Sequence, residues 1–162
     1  FHSSSLPAVR GFATIYNTFA RGLDRYVVSG ILVAPEIDEG DILVQASFAM
    51  RPEYIASDLR QWDAEISLLL TRMLLERSVP AGLNGRKQTG LASWWPRRNP
   101  QENEIDIKLP FESIISHLRA CEEGHPAFFM YDGVRYLVSV RPEIPSTFPA
   151  DVEIVFSSDA FE

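Results

Sequence analysis

The chain is short of cysteine, of positive charge and of long apolar runs, and each shortage closes off a class of protein. Cys121 is the one cysteine among 162 residues. It cannot form an internal disulfide, and no Cys/His cluster at metal-ligand spacing accompanies it. A disulfide-stapled scaffold and a zinc ribbon are excluded, no metal is expected, and Cys121 reads as a small apolar group near a helix end. Lys and Arg number 15 against 22 Asp and Glu, a formal charge of -7. That field repels phosphate polymers and argues against a nucleic-acid partner. No apolar stretch reaches the length of a membrane span, and Phe1 to Pro7 lacks the basic flank and apolar core of a signal peptide. The expectation is therefore no membrane and a cytoplasmic location. What is present is ordinary, 46% hydrophobic and 23% charged residues, enough for one core. The chain opens on Phe1 without an initiator Met, so a fragment or processed product is expected, with any site incomplete on its upstream side.

Apolar residues recur at helical spacing from Gly11 to Arg21, through Phe12, Ile15, Tyr16, Phe19 and Ala20, before Gly22 stops the run. Tyr26 to Val33 and Ile42 to Phe48 are rich in Val and Ile and predict two strands around an acidic turn. Ala56 to Arg77 carries the stripe Leu59, Trp62, Ile66, Leu69, Leu70, Met73 and Leu74 and predicts the longest helix, with Ser57 as its N-cap. Pro80 to Pro110 reads as loop with short strands. Within it, Trp94-Trp95 beside Arg97-Arg98 could stack on a base. The plainer reading is one buried Trp, with arginines solvated or paired with Glu102 or Glu104. A further amphipathic helix is predicted over Phe111 to Glu122, with His117 at the surface or hydrogen-bonded. Ala127 to Tyr131 and Val134 to Val140, around Asp132-Gly133, spell a hairpin. After Pro142 the short apolar run Val152 to Phe156 has no assigned place, and homo-oligomerisation through Ile144 to Phe156 stays open.

Two loops hold residues poorly suited to mere connection. The first, His2 to Gly11, reads H-S-S-S-L-P-A-V-R-G; the second, Pro35 to Leu43, reads P-E-I-D-E-G-D-I-L. One His and one Asp alone are a weak pointer to chemistry. With their surroundings they resemble the formyltransferase family that uses 10-formyltetrahydrofolate, whose pattern is N-x-H-x-S-L-L-P-x-x-R-G followed by D-x-G-D-I-L. His2, Ser4, Leu6, Pro7, Arg10 and Gly11 match the first part, and Asp38, Gly40, Asp41, Ile42 and Leu43 the second. Gln88 to Pro96, Arg97 to Asp106 and Leu118-Arg119-Ala120 resemble later family segments, so the resemblance runs to about Arg141. The family's asparagine would precede Phe1, Val27 stands in place of a common glycine, and Ile31 in place of a frequent histidine.

The resemblance implies an α/β fold, the later part of a Rossmann-like formyltransferase catalytic domain over residues 1–141 with a C-terminal hairpin region, then an extension, 142–162, of unknown role. It implies His2 and Asp38 as catalytic residues and a backbone wall for the pterin ring at Val33, Ala34, Pro35, Glu36 and Ile37. Ser4 and Arg10 are the expected substrate contacts. The donor would be 10-formyltetrahydrofolate, without a metal, and the acceptor a small-molecule amine, foremost a nucleotide-linked amino sugar. A methionyl-tRNA acceptor, hydrolytic release of formate and a non-catalytic binding module are the alternatives. A missing upstream segment or a second copy would complete the fold. Formyl transfer builds an oxyanion and strips a proton from the amine; His2 suits the first demand and Asp38 the second.

Overall fold

The computed structural model describes residues 1–81 and 83–157. In chain order these form β1 (Arg10–Gly11), α1 (Thr14–Ala20), β2 (Arg25–Ile31), β3 (Ile42–Ala49), α2 (Ala56–Ala81), β4 (Trp94–Trp95), α3 (Phe111–Ala120), β5 (Ala127–Tyr131), β6 (Val134–Val138) and β7 (Glu153–Phe156). The two Val/Ile-rich runs pair with each other: β2 and β3 are antiparallel, from Arg25 opposite Ala49 to Gly30 opposite Val44, with a register shift at Ile31. β7 lies antiparallel on the other side of β3. The tail thus takes its place as an edge strand: Phe156 is buried, and Val152 and Ile154 pack against the core. Residues 158–162 of the expected extension fall outside the described residues.

Helix α2 covers this sheet. Leu59, Trp62, Ile66 and Leu70 recur every three or four residues and are at most 4% exposed, and burying each aliphatic one stabilises the fold by about 2–3 kcal/mol. Leu69, expected in the same stripe, turns outward and is 43% exposed, because a residue adjacent to Leu70 is rotated about a quarter turn away from it. Nor does Ser57 cap the helix. It is exposed inside the first turn, and Asp58 Oδ2 accepts the Ile55 N–H at 3.1 Å instead. At the end of the sheet Trp62 meets Tyr54 edge-on with centroids 4.8 Å apart, and Phe48 packs between Trp62 and Tyr26 at 6.0 and 5.5 Å. Offset and edge-on rings of this kind add to plain area burial.

Smaller units flank that core. α1 packs on α3, and β1 runs parallel to β4. β5 and β6 form the expected hairpin, with Asp132 and Gly133 at φ 49° and 75°; both central positions of this turn need positive φ, which suits Asp-Gly.

Candidate active site

The ends of the first loop are tied to the sheet. His2 exchanges two backbone hydrogen bonds with Ser29 of β2, N to O at 2.9 Å and O to N at 2.8 Å. The Ser29 hydroxyl, fully buried, donates to the Ser4 carbonyl at 2.6 Å and accepts from Gln45 Nε2 at 2.9 Å. Ser4 is buried too, its hydroxyl donating to the Ala8 carbonyl at 3.1 Å, so it shapes the loop on which His2 sits.

His2 is held at both ring nitrogens. Nε2 donates to the Val9 carbonyl at 2.8 Å, and Nδ1 stands 3.4 Å from Asp38 Oδ1. The Val9 carbonyl only accepts, so Nε2 carries the proton of that bond, while the Asp38 carboxylate faces the other ring nitrogen. Val9 reaches that position at φ 63°, a left-handed conformation costly for a β-branched residue and tolerated where the surroundings demand it.

Asp38 is also at positive φ, 59°, a conformation that Asp accepts more readily than most residues. Its Oδ2 accepts the Gly11 N–H at 2.9 Å. The turn behind it is tight. A Cβ on Gly40 would run into the Leu32 carbonyl, which explains the glycine two residues after the carboxylate. Arg10 does not face open space. Its guanidinium donates to Glu39 Oε1 at 2.5 Å and to Gln88 Oε1 at 2.8 and 3.3 Å, and the residue is 9% exposed.

The segment expected to face the pterin lies largely at the surface. Val33, Pro35, Glu36 and Ile37 are exposed and Ala34 partly so. Among the described residues, no backbone hydrogen bond uses the N–H or C=O of Val33 to Ile37. Exposed, unspent amides of this kind fit the donor and acceptor edge of a pterin. No group of three or more metal-ligating side chains occurs among the described residues.

A cavity of about 440 Å³ adjoins the His2 loop at Ser3 and is walled by Phe12, Tyr16, Arg97, Arg98 and Asn103. Trp95 is buried and Trp94 half exposed. The arginines pair with neither Glu102 nor Glu104; Arg97 lies over Phe12 at 4.4 Å and Arg98 over Tyr16 at 3.6 Å, where a guanidinium gains from the ring faces. Arg98 also donates to Cys121 Sγ at 3.1 Å, and burial pushes that thiol up from its ordinary value. Burial likewise pushes His117 down, and its Nε2 has no partner, so this histidine is neither at the surface nor fully hydrogen-bonded as the sequence suggested. Buried Arg98 Nε and Asn103 Oδ1 are unpartnered as well.

Gln88 and Glu39, which complete the surroundings of Asp38, did not stand out as site residues in the sequence. The available clue was Gln88 at the head of a segment with a family likeness; its contacts come from chain positions 78 and 50 residues away.

No family model matches the chain. The methionyl-tRNA formyltransferase of Moorella thermoacetica is 27% identical over 135 residues, 83% of this chain and 43% of that protein. The chain spans less than half the length of the curated relatives it matches. The solved methionyl-tRNA formyltransferase from Clostridium thermocellum superposes with a TM-score of 0.67 at 29% identity, over 96% of this chain and 67% of that one. An N-formyltransferase from Helicobacter canadensis, solved with folinic acid and dTDP-3-aminofucose, shares the fold at a TM-score of 0.69 and 20% identity, over 81% of this chain and 49% of that one. The mixed α/β fold of this chain is thus one it shares with formyl-transferring enzymes. Over most of its length the chain is similar to formyltransferases.

Proposed function

We propose that the complete protein transfers a formyl group from 10-formyltetrahydrofolate to a primary amine. The observation that carries this reading is the His2–Asp38 pair at 3.4 Å, each member fixed from behind by a backbone group. Val33 to Ile37 hold the pterin by their free amides. Bound there, 10-formyltetrahydrofolate supplies a formyl group on nitrogen. The His2 ring, fixed by Val9 and set against the Asp38 carboxylate, serves the oxyanion electrostatically. Asp38 accepts, directly or through water, the proton the amine must lose. Ser4 and Arg10 serve the acceptor side indirectly, by shaping the loop and the Asp38 turn.

The acceptor enters the cavity lined by Arg97, Arg98 and Asn103. In a chain of net charge -7, a cavity that sets Arg60, Arg97 and Arg98 beside Asp63 and Glu122 suits a nucleotide-linked amino sugar, which needs a local anion site and no extended basic surface. A second reading, a methionyl-tRNA acceptor, is favoured by identity: the relatives at 26–31% carry that name. The experiment offers the full-length protein 10-formyltetrahydrofolate with charged initiator tRNA and a panel of nucleotide-linked amino sugars at matched ionic strength, and follows tetrahydrofolate release. Transfer to a sugar supports the first reading and transfer to the tRNA the second. Formate release with no acceptor makes the protein a deformylase, and no turnover at all overturns the proposal.

A further inference from the structure

Asp38 is held by more than its own carboxylate. Gln88 Nε2 donates to two carbonyls of the turn, Asp38 O and Gly40 O, both at 2.8 Å. Its Oε1 accepts the Arg10 guanidinium twice. Arg10 grips the intervening residue Glu39, and the next backbone N–H after Arg10, that of Gly11, donates to Asp38 Oδ2. The result is a closed ring, from Asp38 to Gly11, Arg10, Gln88 and back to the Asp38 carbonyl. Every acceptor and donor of the Gln88 amide is spent inside it.

From this ring we infer that Gln88 is a positioning residue for Asp38, setting the distance between its carboxylate and the His2 ring, with Arg10 as the intermediary that makes Gln88 present its N–H groups to the turn. The Arg10 contact fixes the amide's orientation: a guanidinium only donates, so Oε1 must face it and Nε2 must face the carbonyls. Glutamate at 88 has the same reach and could still receive Arg10, but it has no N–H to give and would set a negative charge against two carbonyls. Without the tie, a turn at positive φ can relax, and displacement of a reacting group by an ångström costs about a hundredfold in rate. The role rests on the formyl-transfer reading, while its structural half can be read without turnover.

The test uses Gln88→Ala and Gln88→Glu in the full-length protein, each also combined with Asp38→Asn. The expected result is a fall in kcat of about ten- to a hundredfold in both single variants, with KM for the folate donor within about threefold. Neither change should deepen the defect of Asp38→Asn, because the effect of Gln88 passes through Asp38. A variant with normal kcat, or losses that multiply with Asp38→Asn, overturns the inference. Amide exchange supplies the second readout. Gln88→Ala should speed exchange of the Gly11 amide about tenfold while the amides of β2 stay protected. Unchanged Gly11 exchange refutes the positioning role, whereas faster exchange in a protein without formyl transfer leaves that role standing and removes only the proposed reaction.

Discussion

Replacing Asp38 by Asn separates what the carboxylate does for the fold from what it does for chemistry. Asn tolerates the 59° φ of this position as well as Asp does, and its carbonyl oxygen can keep the Gly11 N–H. Its NH2 then faces His2 Nδ1, which accepts as the neutral imidazole while Nε2 still donates to Val9 O. The pocket closes with no buried group orphaned, so the stability loss should stay within about 1 kcal/mol. Asp38→Ala is different. It loses a charge-assisted hydrogen bond worth about 1.5–3 kcal/mol and puts Ala in a left-handed conformation costing about 1–2 kcal/mol. At about 2–4 °C per kcal/mol for a chain of this size, its Tm should fall by roughly 5–20 °C, against at most a few degrees for Asn. Turnover orders the variants otherwise. Both lose the acceptor for the amine's proton and the negative charge opposite the His2 ring, so kcat should drop about 10²–10⁴-fold in each, with the folate KM little changed. Calorimetry beside steady-state formyl transfer reads both effects. An Asn variant that turns over normally, or one as unstable as Ala, would refute the reasoning.

Burial and the neighbouring Asp63 carboxylate push the Tyr26 phenol well above its ordinary value. A raised folded value means the protonated phenol adds stability below the unfolded pKa, near pH 10, and that stability is lost as pH climbs through the folded value. The protein should weaken from about pH 10 upward and Tyr26→Phe should flatten the decline in urea melts; an equally steep decline in the variant contradicts this. Gly40→Ala drives a methyl into the Leu32 carbonyl, so the Asp38 turn must move. Folate binding by Val33 to Ile37 and turnover should both suffer, and a crystal structure of the variant with the turn in place would disprove it.

Residues whose partners lie close in sequence were legible. The Asp132-Gly133 hairpin and the stripe of α2 follow from local turn chemistry and periodicity; two ordered motifs single out His2 and Asp38, which the fold brings to 3.4 Å. Ser57 is not the N-cap because the helix starts one residue earlier, at Ala56, which puts Ser57 inside the first turn. The aromatic perches of Arg97 and Arg98 leave no local trace, because nearby sequence offers the carboxylates Glu102 and Glu104 while Phe12 and Tyr16 lie more than eighty residues upstream. The Gln88 tie and the place of β7 share this cause: contacts that span most of the chain leave no periodic trace in it.

The pairing of β7 with β3 has a consequence in time. The partners of Val44 to Ser47 are residues 153 to 156, more than a hundred positions downstream. A ribosome adding 5–20 residues per second therefore leaves that side of β3 unpaired for about 5–20 s after it has emerged. Throughout that interval an apolar strand with open N–H and C=O groups is a template for any other nascent chain nearby. A stop codon placed after Arg141 would make the interval permanent. Such a product should collect in inclusion bodies even though His2, Asp38 and Gln88 are all present.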